Sequence, residues 1–185
     1  MSDYCDFLQG VCVLQTALSD HVLNNKFINP ELIELAKETG GVKVIPYDAQ
    51  ADETARAMVI LQRGDILLQN KGILSQPASQ STFTPQLSLM IQVSTQSYYF
   101  TEKLGQEILQ YVASIQGALR SFNLNIASLS LSPTRNDKTS SPNYFINAVT
   151  ITGSIPITVW KIQSSEDILS SIKMNIKFNG QKIIP

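Results

Sequence analysis

Apolar residues recur at helical spacing through Phe7, Val11, Leu14, Leu18 and Val22, so residues 3–24 are expected to form an amphipathic helix, weakened at Gly10 and ended by Asn24-Asn25. The next helix is announced by its ends. Asn29 can cap, Pro30 suits the first helical position, Glu31 and Glu34 favour the positive end, and Gly40-Gly41 terminates, which predicts a helix over 30–39. The pattern then becomes extended. Val42-Lys43-Val44-Ile45 stops at Pro46, and the chain to Arg56 reads as loop. Ala57 to Gln62 reads as a strand, Arg63-Gly64-Asp65 as a turn, and Ile66-Leu67-Leu68 as its continuation or partner. Ser75 to Pro85 is a long polar loop with a proline near each end. Leu87, Leu89, Ile91 and Val93 alternate with Ser88, Met90, Gln92 and Ser94, the period-two signature of a half-buried strand.

Thr101 begins the longest helical stripe, through Leu104, Ile108, Tyr111, Val112, Ile115, Leu119 and Phe122, preceded by an aromatic lead-in at Tyr98-Tyr99-Phe100. Residues 126–132 alternate again as a strand, and Ser132 to Pro142 is a second proline-bounded polar loop. Tyr144 to Ile162 is β-prone, divided or bent at Gly153-Ser154, with Pro156 pointing to an edge or bulge. Ser165-Glu166-Asp167 looks like a helix start, before an alternating Ile172, Met174, Ile176 and Phe178 and an arm to Pro185. Strands on both sides of one long amphipathic helix (about 101–122) imply an α+β fold, a mainly antiparallel sheet flanked by helices on one face, with extended loops. The expected organisation is an N-terminal helical region over 1–41, an α+β core over 42–162, and a C-terminal arm or edge strand over 163–185, forming one compact domain overall.

Composition alters this picture in one respect. Charged residues are 16% of the chain, with a net charge of −1, while 58 of the 185 residues are Ser, Thr, Asn or Gln. The near-neutral balance, with lysines spread thinly along the tail, argues against a general or sequence-specific nucleic-acid binder. No apolar run is long enough for a membrane span. The N-terminus is acidic where a secretory signal is basic, so synthesis in a cytoplasm is expected. A surface poor in charge and rich in neutral polar groups suits a protein that buries itself against neighbours, because each buried charge costs desolvation.

Candidate chemistry is sparse. Cys5 and Cys12 are two helical turns apart, too far to bridge, and read as buried free thiols. His21 is the sole histidine, so zinc catalysis is not expected. Asp48, Asp52 and Glu53 cluster before a strand with nothing to fix their separation, so a solvated loop accounts for them. No G-x-S-x-G, Walker A or G-x-G-x-x-G occurs, and a turn between strands accounts for Gly64 in Arg63-Gly64-Asp65. The expectation is a non-enzyme without cofactor, metal or catalytic residues.

The run TPQLSLMIQVSTQSYYFTEKLGQEILQYVASIQGAL, followed by SLSLSP, a polar loop and NYFINAVTITGSIPITVWKI, resembles the tail terminator (tail-completion) proteins of long-tailed bacteriophages over residues 57–162. The resemblance implies a virion protein whose sheet and helices assemble as a ring, hexameric in expectation, at the head-proximal end of the tail. Such a ring stops tube growth and joins tail to neck, with tail tube, sheath or neck/connector proteins as neighbours. The alternative is another neck, connector, tube or baseplate subunit, or a small enzyme or ligand-binding domain. The chain differs from the family pattern in its longer N-terminal helical region and its C-terminal arm.

Head-to-tail contacts that close on rotation make a ring, and sheet edges and loops are natural devices for them. Subunit-interface candidates are Ser79, Gln80 and Phe83 in the first loop, Thr134, Arg135, Asn136, Asp137 and Lys138 in the second, and Ile172, Met174, Ile176 and Phe178 in the arm. Deleting residues 172–185 tests the arm. A folded chain that no longer assembles is the expected result. An unfolded chain makes the segment a core strand instead, and unchanged assembly removes it from the contacts.

Overall fold

In the computed structural model, which describes residues 9–45, 55–67, 80–137 and 143–160, helix α1 spans Gln9–Leu23 and turns Leu14, Leu18 and Val22 inward. Its end is set by Asn25, which adopts a left-handed conformation (φ 49°) and lets Lys26 N donate to His21 O at 2.9 Å. Helix α2, Pro30–Glu38, closes on the same device at Gly40 (φ 81°), with Gly41 N donating to Ala36 O at 2.8 Å. Its start follows the expected cap, the Asn29 side chain accepting from Glu31 N at 3.1 Å.

Helix α3, Tyr98–Ser114, begins three residues before the apolar stripe, because Ser97 caps it by accepting from Phe100 N at 3.3 Å. Tyr98-Tyr99-Phe100 is therefore the first helical turn rather than an aromatic lead-in. Phe100 is buried, while Tyr98 and Tyr99 face outward. The stripe also does not run as one helix. It breaks at Ile115, and a short α4, Gln116–Ser121, carries Leu119 into the core before Asn123 (φ 63°) ends it.

The main sheet has the order β1-β2-β4-β7-β5, from β1 (Lys43–Ile45), β2 (Ala57–Leu67), β4 (Gln86–Thr95), β5 (Asn125–Leu131) and β7 (Tyr144–Ser154). β1 runs parallel to β2, and all other pairings are antiparallel. The α+β expectation holds in this form. Arg63-Gly64-Asp65 is not a turn between strands. β2 continues through it with a register shift between Arg63 and Ile66, a bulge opposite Leu87 and Leu89. The short β6 (Arg135–Asp137) pairs with the first residues of β7, and β5 with the later ones, so β5 and β6 are two lengths of one edge. The chain between them stays attached, Ser132 N donating to Ala148 O at 2.9 Å.

By its contacts the chain divides into two units, one of Met1–Gln69 with Thr84–Pro156, the other of Asn70–Phe83 with Ile157–Pro185. In the second, β3 (Gln80–Phe83) and β8 (Ile157–Trp160) form an antiparallel pair with Phe83 opposite Ile157. The proposed loop of 75–85 thus ends in a strand. In the first unit, the N-terminal helices share one core with the sheet and the long helix. Leu14, Leu18, Leu32 and Ala36 belong to the same core as Leu89, Ile91, Leu104, Ile108 and Ile151.

The contact between α3 and β7 is close enough to exclude a side chain. A Cβ on Gly105 would lie 2.5 Å from Asn147 Nδ2 and 2.7 Å from Oδ1. Ile108→Ala is expected to cost about 2–5 kcal/mol of unfolding free energy. Gly105→Ala, which improves helix propensity, is expected to destabilise by about 1–3 kcal/mol because the Asn147 amide must leave its hydrogen bonds. Chemical denaturation checks both, and a neutral or stabilising Gly105→Ala would contradict the packing.

Candidate functional site

Glu107 is the buried acidic side chain of the helical layer, and three donors converge on it. Oε1 accepts from His21 Nε2 at 3.0 Å and from Ile28 N at 2.7 Å, while Oε2 accepts from Asn29 N at 3.3 Å. Both side chains are almost fully enclosed, at 4% exposure for His21 and 3% for Glu107. The His21 ring stacks on Tyr111 (3.8 Å between centroids, 12° between planes) and meets Phe27 edge-on at 5.7 Å. Tyr111 in turn donates its hydroxyl to Ala17 O at 3.1 Å, and burial pushes its pKa up. Chemically this is a holding site. The carboxylate is occupied by three donors, which leaves it poorly placed to move a proton for a substrate.

The sequence reading passed over Glu107. The signal available was a charged residue within the apolar stripe, three positions after Leu104 and four before Tyr111, in a chain with a single histidine.

A second polar node joins α3 to β7. Asn147 Nδ2 donates to Thr101 O at 2.9 Å and to Thr134 Oγ1 at 3.2 Å, and Thr134 donates to Glu102 Oε2. Asn147 Oδ1 has no hydrogen-bond partner among the described residues and lies against the bare Cα of Gly105. Thr134, expected in an exposed loop, is therefore half-buried and held by α3. Arg135, Asn136 and Asp137 are paired in β6 rather than looped out. Gln80 and Phe83 lie in β3. Ser79, Lys138, Ile172, Met174, Ile176, Phe178, Cys5 and the acidic cluster of 48–53 lie outside the described residues. Cys12 is exposed on α1, against the expectation of a buried thiol.

The surface feature that register and burial define is the sheet face turned away from the helices. Val59, Leu61, Leu89, Ile91, Val93, Val149 and Ile151 point to the helices. The intervening residues form the other face, with Gln62 opposite Met90, Met90 opposite Thr150, and Thr150 opposite Ser130. One corner is closed by Ile45, Ala55, Met58 and Tyr144, whose hydroxyl donates to Ala55 O at 2.8 Å. The remainder (Gln62, Ser88, Met90, Gln92, Ser128, Ser130, Ala148, Thr150 and Thr152) is half-buried or exposed and carries no formal charge. By register, Lys43 of β1 (beside Met58) and Arg135 and Asp137 of β6 (beside Ile146 and Tyr144) share this face on its edge strands, and other charged side chains stand on the helical layer. On α2, Lys37 pairs with Glu34 at 2.8 Å. Beyond the end of α1, Lys26 and then Asn24 hold the exposed Asp20 carboxyl below its usual range.

Comparison with protein-family models and with curated proteins finds no match for this chain. Among the described residues, no group of three or more His, Cys, Asp or Glu side chains is placed to hold a metal ion. No helix among them is long and apolar enough to cross a membrane.

Removing one partner of a buried, hydrogen-bonded pair leaves the other unsatisfied, at about 3–5 kcal/mol. Glu107→Ala is expected to reach that range and to exceed His21→Ala, since it also strands the amides of Ile28 and Asn29. Urea unfolding of both variants checks the order, and equal small losses would show that the node does not hold the helices.

Proposed function

We propose that this chain is a structural virion protein, a tail terminator-like subunit that assembles as a ring at the head-proximal end of a phage tail. The supporting observation is the two-sidedness of the main body. One side is a helical layer studded with charge, and the other is a sheet face whose middle carries hydroxyls, amides and methionine, with the charged Lys43, Arg135 and Asp137 on its edge strands. A terminating ring needs such a difference, because its two axial sides meet different neighbours, the tube below and the neck above. A neutral polar face suits permanent docking, since hydrogen-bonding groups can be re-paired across a contact while a buried charge demands an exact counter-charge. His21 and Glu107 serve the fold in this reading, consistent with a non-enzyme.

The test is electron microscopy of the purified full chain, alone and mixed with tail tubes. The reading expects closed rings with a central opening, and tubes capped at one end. Binding along the tube or at the opposite end would make the protein a different tail subunit. A monomer at all concentrations that caps nothing would overturn the assignment.

A further inference from the structure

We draw no further inference here: the strongest candidate, the apolar groove along the outer face of α1 lined by Cys12, Val13, Thr16 and Ala17, carries none because nothing in the structure shows what covers it.

Discussion

One buried carboxylate fixes how the helical layer is assembled. Burying an ionised group costs several kcal/mol unless its oxygens are satisfied, and Glu107 meets that condition with donors from two places at once. The His21 side chain comes from the last turn of α1, and the amides of Ile28 and Asn29 come from the entry to α2. A single side chain on α3 therefore ties the last turn of one helix to the entry of the next. The location also suits the charge. The N-terminus of α2 is the positive end of its dipole, so a carboxylate from α3 supplements the cap that Asn29 provides locally. Because α3 lies across β4, β7 and β5, the same residue ties the N-terminal helices to the sheet.

How much of this was legible follows from the range of each interaction. α2 was readable almost to the residue, because its cap, proline and terminating glycine are neighbours in sequence. The alternating strands were readable for the same reason, β4 above all. The start of α3 was hidden because Tyr98-Tyr99-Phe100 reads as an aromatic lead-in to the apolar stripe, while the deciding group is the single hydroxyl of Ser97. Its break was hidden because the apolar stripe passes through Ile115 undisturbed, so the pattern reports burial and says nothing about where the backbone turns. His21 and Glu107 are 86 positions apart, and no local rule joins them. Thr134 was misplaced for a related reason. A polar residue between prolines reads as loop, and only the fold reveals Glu102 and Asn147 waiting for its hydroxyl.

The two sides of the sheet solve the polar problem in opposite ways. On the helix side, polar groups that enter the interior are nearly all matched, and the orphaned Oδ1 of Asn147 is the exception among the described residues. That exception sits where α3 crosses β7 at Gly105, and a Cβ on that glycine would lie 2.7 Å from the same oxygen. On the other side, cross-strand pairs such as Ser128 with Thr152 at 2.6 Å join the hydroxyls of neighbouring strands. Those groups remain available to water or to another surface.

That availability separates two uses of neutral polar residues. A solvated sheet face ordinarily carries charge, which raises solubility and repels stray copies. Here that charge stands toward the edges, Lys43 on a three-residue strand at one side and Arg135 and Asp137 on an interrupted edge at the other. Defence against edge pairing prevents open-ended growth, because edge-added sheets can extend without limit. Association through a face is self-limiting, since each molecule has one such face and using it leaves none exposed. The blunted edges therefore guard this sheet against open-ended growth. The neutral middle of the face adds selectivity. Long-range attraction would steer the chain toward many partners, whereas hydroxyls and amides reward only a surface that fits them at hydrogen-bond distance.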